Sequence, residues 1–262
     1  MAAGAASSAE ASPTDISTLE HLAYNAWPAL QVAIRDDWIL RFADGYSKRA
    51  NSVNALTAAR DTPPIVLERR IAEARALFAR RAIRCVFRIS PLMDPQVPAM
   101  LQAEGWAPFE ETMIMVADLA GADVIPDRVL VAATRAADWS QGYRTFNGVP
   151  PERQVLHDRL LDAILPDAGF AMARDAGGRP AAYGLGVVER GHVGLFDIVS
   201  DPGLRRAGHG RRVVDGLMAW GRARGATRAY LQVVTVNQPA IALYRSLGFR
   251  EAYRVHYRAA AV

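Results

Sequence analysis

A glycine-rich segment follows an apolar run in the C-terminal third of the chain. Arg205, Gly208 and Gly210 give this segment an R-x-x-G-x-G spacing, and a helical pattern begins directly after it. Backbone N–H groups at the start of a helix, together with the positive end of the helix dipole, can bind a phosphate group. Positive charge is added by four arginines: Arg205, Arg206, Arg211 and Arg212. The order of strand, glycine loop and helix therefore predicts a pyrophosphate-binding site.

Two common phosphate-binding motifs do not fit this segment. A Walker loop ends in lysine followed by serine or threonine, whereas Gly210 is followed by two arginines. A dinucleotide-binding fold needs an acidic residue that closes a strand about 20 positions further on, and none does so here. Because glycine also serves tight turns for purely steric reasons, the loop alone does not identify the ligand.

A second motif lies beyond the next apolar run, which extends from Arg228 to Val236. Residues 237–249 read N-x-x-A-x-x-L-Y-x-x-L-G-F. At this separation from the glycine loop, the motif resembles that of the GNAT superfamily of acyl-CoA-dependent N-acyltransferases. The resemblance covers residues 170–257. It implies an acyltransferase that uses acetyl-CoA as its cosubstrate and needs no metal.

The resemblance also implies where acyl-CoA binds. In this family the pantetheine arm lies between two parallel strands that splay apart, and it pairs with backbone groups at the end of the central strand. Those groups are here Ile198, Val199 and Ser200. A backbone N–H at that point would also hold the thioester oxygen as it becomes an oxyanion. The pyrophosphate contacts carry over to the loop residues Arg205, Arg206, Ala207, Gly208, His209, Gly210 and Arg211.

Two of these positions depart from the family pattern. Ser200 stands where the family most often has an apolar residue, and His209 stands where it usually has an aliphatic one. Backbone contacts do not depend on the side chain, so we expect them to survive at Ser200. We interpret His209 as a solvent-facing loop histidine.

Tyr244 matches the family tyrosine that protonates or hydrogen-bonds the departing CoA thiolate. It shares one helix face with Ala240 and Leu247, so a core aromatic is the alternative interpretation. Asn237 is included among the cofactor-binding residues of the motif. Its main role is expected to be structural, because its side chain can cap the helix that has Pro239 in its first turn.

Acyl transfer to an amine requires a base, because a protonated amine must first lose a proton. Asp197 is the leading candidate, since it is an acidic residue inside an otherwise apolar strand, where burial is costly without a purpose or a partner. A structural aspartate that is hydrogen-bonded across the sheet is the equal alternative. Glu189, His192 and His256 are further candidates, each at the end of a predicted strand.

Composition narrows the class of protein. The 262 residues are 51% apolar and carry a net charge of +4 that comes almost entirely from arginine, since Lys48 is the only lysine. Dispersed arginine with high alanine indicates composition bias more than a nucleic-acid surface. No run of eighteen apolar residues and no signal-peptide pattern occurs, so we expect a cytoplasmic protein without a membrane partner. A single cysteine, Cys85, excludes an internal disulfide and predicts core packing.

The chain also carries an internal duplication. Hairpin, helix, strand, short helix, glycine-aromatic pair and strand occur in this order before residue 120 and again after residue 170. We predict a tail over residues 1–14, a GNAT-like domain over 15–120, a linker over 121–127 and a catalytic GNAT domain over 128–262. Each domain is an α/β unit with a mixed, mostly antiparallel twisted sheet flanked by helices. The tandem layout is similar to that of mycothiol synthase.

Local patterns predict the first elements of the chain. Ser17 to Glu20 reads as a capping box that begins a helix, and the segments 38–42 and 50–56 read as a hairpin around the turn at residues 44–46.

The segment 57–64, in the place of the glycine loop, has no glycine and ends in Pro63-Pro64, which lack N–H donors. No tyrosine stands at the position that corresponds to Tyr244. The first half is therefore predicted to be a degenerate, non-catalytic copy.

These observations favour one function over two alternatives. We predict transfer of acetyl from acetyl-CoA to a primary amine by direct attack in a ternary complex, in the second half only. A non-catalytic acyl-CoA-binding module whose first half docks a partner is the alternative, and a nucleic-acid binder is a distant third. The acceptor stays open among a protein N-terminus, a lysine, an amino acid, a polyamine and an aminoglycoside, and so does the oligomeric state.

Overall fold

The first helix begins earlier than its predicted capping box. The computed structural model describes residues 12–59, 61–121 and 124–260, so most of the predicted tail lies outside the described residues. Helix α1 (Pro13–Ala26) is capped by Ser12, whose Oγ accepts a hydrogen bond from the Asp15 N–H at 3.2 Å. The prediction of a helix start at residues 17–20 is wrong. Glu20 instead lies fully buried in the middle of the helix.

The remaining elements follow the predicted order closely. The first half continues with β1 (Gln31–Arg35), β2 (Trp38–Phe42), β3 (Val53–Ala55), α2 (Pro64–Ala79), β4 (Val86–Ile89), α3 (Gln96–Ala103) and β5 (Ala107–Asp118). The second half contains β6 (Val129–Ala132), α4 (Ala137–Asn147), α5 (Pro151–Asp162), β7 (Asp167–Arg174), β8 (Pro180–Glu189), β9 (His192–Ser200), α6 (His209–Arg222), β10 (Arg228–Val234), α7 (Gln238–Ser246) and β11 (Arg250–Ala259).

The first hairpin differs from its prediction. The tight turn lies between β1 and β2, where Arg35 pairs with Trp38 and Asp36 has a φ of 53°. Strands β2 and β3 do pair antiparallel, but a long loop over residues 43–52 joins them instead of a tight turn. Strand β1 was not predicted, because its residues are mostly exposed and show no apolar alternation.

All of these strands form one sheet. It has eleven strands in the order β1-β2-β3-β4-β11-β5-β10-β9-β8-β7-β6. Only the pairs β3–β4 and β9–β10 run parallel among the described residues. This mixed, mostly antiparallel sheet with flanking helices confirms the predicted fold class.

The two halves exchange their last strands. Strand β5, from the first half, pairs with β10 from Arg228–Asp118 to Val234–Thr112, and β11, from the second half, pairs with β4 from His256–Ile89 to Ala259–Val86. Strands β5 and β11 also pair with each other at the centre of the sheet. Neither half therefore completes its sheet from its own residues.

A buried polar cluster fastens this junction. Glu20 accepts hydrogen bonds from the hydroxyl groups of Tyr24 (3.0 Å) and Tyr253 (2.6 Å), and it forms an ion pair with buried Arg88. Burial, followed by the Glu20 charge, raises the pKa of Tyr253 well above its usual range. Removing one partner would leave a buried charge uncompensated, so the cluster ties α1 and β4 to the exchanged strand β11.

Two predicted core assignments are confirmed. One face of α6 is buried, and it consists of Val213, Val214, Leu217 and Trp220. Cys85 is partly buried and packs against the main core, and burial raises the pKa of its thiol to about 12. A thiol with so high a pKa carries very little thiolate at neutral pH, in accord with a packing role.

Candidate functional site

Strands β9 and β10 diverge halfway along their length. They pair in parallel only from His192–Arg228 to Leu195–Leu231. Beyond these residues lies a cavity of about 430 Å³. It is lined by Lys48, Arg49, Glu110, Thr112, Tyr143, Asn147, Leu195, Phe196, Asp197, Ile198, Gln232, Val233, Val234, Asn237, Ala240, Tyr244 and Tyr257. The splay that the family resemblance implies is therefore present, and both halves of the chain line it.

A bulge in β9 accompanies the turn of Asp197 toward this cavity. Tyr183 pairs with Val199 and Leu185 pairs with Phe196, so the register shifts by one residue between them. Asp197 has a φ of 50°, in the left-handed region that aspartate enters more readily than most residues. Bulges of this kind re-aim side chains next to functional sites.

The Asp197 carboxylate lies beside side chains from two helices. His157 on α5 has its Nε2 at 3.1 Å from Asp197 Oδ2, and Tyr143 on α4 lines the same cavity as Asp197. The side chains of His157 and Asp197 are 0% and 4% exposed. His157 Nδ1 is buried without a hydrogen-bond partner among the described residues, so Nε2 is the ring nitrogen that is placed to donate a proton to the carboxylate.

Aromatic rings enclose this histidine. The His157 ring stacks against the rings of Tyr143 and Tyr46, with 4.8 Å and 5.8 Å between ring centroids. The centroid of the Trp27 ring lies 6.2 Å from that of His157. Burial, and then the Asp197 charge, raise the pKa of Tyr46 to about 12 and the pKa of Tyr143 well above its usual range. Both phenols therefore keep their protons at neutral pH.

Tyr244 lines the cavity from α7, the helix that follows β10. Helix α7 begins at Gln238, and Asn237 caps it by accepting a hydrogen bond from the Ala240 N–H at 3.3 Å, as predicted. Tyr244 is 8% exposed, and burial raises its pKa to about 12. The protonated phenol is thus the stable form over the neutral range, as a proton donor requires.

The glycine loop joins the end of β9 to α6. Arg206 and Gly208 both have positive φ values, 63° and 78°, and Gly208 is the N-cap of the helix without a side-chain capping bond. The loop residues 205–208 are exposed. The first N–H groups of α6 therefore lie beside an open surface, where an anion can approach them.

His209 is not the solvent-facing loop residue that was predicted. It is the first residue of α6 and is only 7% exposed. Its Nδ1 is in contact with the guanidinium of Arg212, one helical turn further on. Glycines flank His209 on both sides and arginines lie beyond them, so the local sequence did not predict that its side chain is buried.

Three of the candidate bases lie away from the cavity. Glu189 and His192 pair with each other at the β8–β9 turn, where Glu189 accepts two hydrogen bonds from Asn25 at 3.0 Å and His192 contacts the Arg190 carbonyl. His256 pairs with Ile89 inside β11 and does not lie at a strand end as predicted. Of the four candidates, only Asp197 lines the cavity.

The sequence did not single out His157. One signal was available, because His157 shares a helix face with Leu160 and Leu161, and all three are buried. A histidine on the buried stripe of a helix needs a polar partner, and Asp197 is the acidic residue inside an apolar strand. Joining the two observations would have required the helix packing, which the sequence does not contain.

The described residues contain neither a candidate metal centre nor a helix that could span a membrane. Within residues 12–59, 61–121 and 124–260, no group of three histidine, cysteine or acidic residues could hold a metal ion. No helix in that part of the chain is long and apolar enough to cross a membrane.

Comparisons with known proteins agree with this geometry. A family model described as "Probable histone acetyltransferase Rv0428c C-terminal" matches residues 13–258. The "Uncharacterized N-acetyltransferase YobR" of Bacillus subtilis is 27% identical over 257 residues, which cover 93% of this chain and 98% of the relative. A "GCN5-related N-acetyltransferase" structure from Kribbella flavida has a TM-score of 0.71 at 15% identity and covers 94% of this chain and 96% of its own.

A further solved structure bears on the duplication. The "Tandem GNAT protein from the clavulanic acid biosynthesis pathway" has a TM-score of 0.65 at 13% identity, and the match covers 96% of this chain and 90% of that one. At this identity the likeness concerns the fold alone, and it supports the tandem layout.

Proposed function

The chain belongs to the GNAT family of N-acetyltransferases, and we propose that it moves acetyl from acetyl-CoA to a primary amine by direct attack in a ternary complex. One observation carries the proposal: Asp197 and Tyr244 line the same cavity, at the point where β9 and β10 splay apart. A thioester between the two strands would have a carboxylate on one side and a phenol on the other.

Asp197 is proposed as the base. It takes the proton from the ammonium group of the acceptor, directly or through one water molecule, and so frees the lone pair for attack on the thioester carbon. His157 Nε2 holds the carboxylate in place through its contact with Oδ2. Because His157 contacts one carboxylate oxygen, the lone pairs of the other oxygen are available toward the cavity.

Backbone groups are proposed to bind acetyl-CoA. The N–H groups at the end of β9, over Ile198 to Ser200, pair with the pantetheine arm and hold the thioester oxygen as negative charge develops on it. The pyrophosphate binds to the exposed loop and the first N–H groups of α6, where Gly208 and Gly210 permit close approach.

Tyr244 is proposed to complete the reaction by giving its proton to the departing CoA sulfur. When the tetrahedral intermediate collapses, the C–S bond breaks and the sulfur takes the electron pair, so a nearby acid lowers the barrier. Since burial raises the pKa of Tyr244 to about 12, the phenol holds this proton until the sulfur needs it.

An amine panel tests this proposal. Full-length protein is mixed with acetyl-CoA and amines of different classes, and release of free thiol is followed over time. Turnover with at least one amine is expected, and Asp197→Asn should lower its rate and change the acidic side of the pH profile. Tight acetyl-CoA binding without thiol release from any amine would instead favour the non-catalytic binding module.

A further inference from the structure

One loop of the first half reaches into the cavity of the second half. The connection between β2 and β3 includes Lys48 and Arg49, and both side chains line the cavity that contains Asp197. Strand β5 of the first half adds Glu110 to the same wall. The first half thus contributes charged residues to the cavity that contains Asp197.

This loop is held in a fixed shape by hydrogen bonds from within the first half. Asn51 Oδ1 accepts from the N–H groups of Ala43 (2.7 Å) and Gly45 (3.0 Å), and its Nδ2 donates to the Ser47 carbonyl at 2.8 Å. The buried guanidinium of Arg41 donates to the Arg49 carbonyl at 2.6 Å. Such bonds fix the backbone before a ligand arrives, which lowers the cost of binding one.

Helix α5 clamps the loop from the other half. Arg153 donates to the backbone carbonyls of Gly45 and Tyr46, and Arg159 forms an ion pair with Asp44 at 3.3 Å. The same helix carries His157, which stacks on Tyr46. The loop and the histidine that holds Asp197 are therefore positioned by one helix.

The two basic residues of this loop, Lys48 and Arg49, differ in whether an acidic group compensates their charge. Lys48 Nζ lies 2.6 Å from Glu110 Oε1, so these two charges compensate each other. Arg49 has no acidic group within ion-pair distance in the described part of the chain, and its guanidinium lies 4.6 Å from the ring centre of Trp27. One cation is left for a ligand.

Arg49 and Asp197 act on the same two phenols. Burial and Asp197 raise the pKa values of Tyr46 and Tyr143, whereas the Arg49 charge lowers both. The Arg49 guanidinium lies over the Trp27 ring, and this ring stacks with Phe196, the residue before Asp197. The free cation and the carboxylate therefore flank one region of the cavity.

We propose that the acceptor is a small amine that also carries a carboxylate, with its ammonium group at Asp197 and its carboxylate at Arg49. This inference rests on the proposed function. A guanidinium matches a carboxylate in charge and in its paired donor geometry. Asp197 would repel a doubly charged phosphate, and Arg49 would repel the second ammonium group of a polyamine.

Matched pairs of acceptors test the inference. Glycine, β-alanine and alanine are each compared with their primary amides, and 1,4-diaminobutane serves as a polycation. Thiol release from acetyl-CoA is measured for each. The free acids should have at least a tenfold higher kcat/KM than their amides, a factor that corresponds to about 1.4 kcal/mol. The amines of the amides are less basic, so a larger fraction of them is unprotonated and able to attack. Because this difference favours the amides, a faster reaction of the free acids cannot be due to amine basicity.

Variants of Arg49 identify the residue responsible. Arg49→Gln should raise KM for the acids by about tenfold and leave the amides within about twofold, while Arg49→Lys should restore part of the loss. The control is Arg224→Gln, which removes an arginine that lies 4.4 Å from the Trp220 ring but does not line the cavity. If Arg49→Gln does not fold, the acid and amide pairs on the natural protein decide the question.

The outcomes separate this inference from the proposed function. Amides or the diamine acetylated as fast as the acids would overturn the inference and leave acetyl transfer intact. Equal losses for acids and amides in Arg49→Gln would also overturn it. No thiol release with any acceptor would overturn both.

Discussion

The two halves of this chain differ most at their connections from strand to helix. In the second half, β9 leads through exposed residues 205–208 to α6, whose N-cap is Gly208 in the left-handed region. In the first half, β3 leads to α2, whose N-cap is Pro63 and whose first residue is Pro64. Proline has no N–H, so the first-half helix start offers fewer donors to an anion.

The cavity wall, by contrast, depends on residues of the first half. The first half supplies the loop that contains Lys48 and Arg49, and Glu110, to the cavity wall, and residues 112–118 of its strand β5 pair with the whole of β10. The half that we predict not to bind acetyl-CoA therefore still contributes residues to the cavity that contains Asp197. The comparison teaches that a half whose helix start offers fewer donors to an anion can still help to build the cavity.

The largest effect is expected from separating the halves. The fragment from Asp127 to the C-terminus lacks β5, so β10 loses its antiparallel partner from Arg228 to Val234, and β11 loses both neighbours. Two such exposed edges favour aggregation. We expect little soluble fragment and no acetyl-CoA binding by isothermal titration.

Co-expression with the fragment that ends at Ala120 supplies the control. The two fragments should form a one-to-one complex by size-exclusion chromatography and regain acetyl-CoA binding. A second-half fragment that is monomeric and binds acetyl-CoA like the full chain would contradict the importance of the exchanged strands.

The next effect concerns Tyr244 and the residue at the corresponding position of the first half, Leu101. Tyr244→Phe keeps the ring but removes the proton, so the acetyl-transfer rate should fall by about a hundredfold with little change in acetyl-CoA affinity. Burial raises the pKa of Tyr244 above its ordinary value, to about 12, so the proton is present below that pH and lost above it. The fall in acetyl-transfer rate caused by Tyr244→Phe should therefore be the same at every pH from about 6 to 10.

Leu101 provides the matched control. It is fully buried in the first half, and Leu101→Met conserves volume, so this variant should transfer acetyl at nearly the natural rate. Transfer at the natural rate by Tyr244→Phe, with chemistry rate-limiting, would make Tyr244 a core residue like its counterpart.

The smallest effect is expected at the glycine loop. A Cβ at Gly210 would lie 3.0 Å from Ser200 Oγ, so Gly210→Val should crowd the helix start and weaken acetyl-CoA binding at least tenfold, about 1.4 kcal/mol. Gly177→Val is the control, in an exposed turn. Titration should give one site per chain for the natural protein, and two sites would show that the first half is not degenerate.

Sequence reasoning succeeded where the chemistry was local. The helix that Asn237 caps and the buried stripe of α6 depend on residues three or four positions apart, and both are present. It failed where a partner came from a distant segment. The partner of His157 is on another element, and Glu20, interpreted as a capping residue, is a buried partner of Arg88.

The exchange of strands could not be predicted for a related reason. The patterns of β5 and β11 specify that each is a strand with a buried face, but they do not specify which edge it joins. The placement depends on complementary faces across the whole sheet, as at the pairs Val86–Ala259 and Asp118–Arg228. The cavity around Asp197, which residues of both halves line, follows from that placement.

The exchanged strands also set the order in which the molecule can be assembled during synthesis. Strand β4 leaves the ribosome long before its partner β11, because strands β5 to β10 and the helices between them separate the two in the chain. The partner of β5 is likewise delayed until β10 appears. Contacts between segments so far apart in the chain slow folding, because a long loop must close before they form. The edge of β4 that pairs with β11 therefore stays unpaired in the nascent chain until β11 has been made.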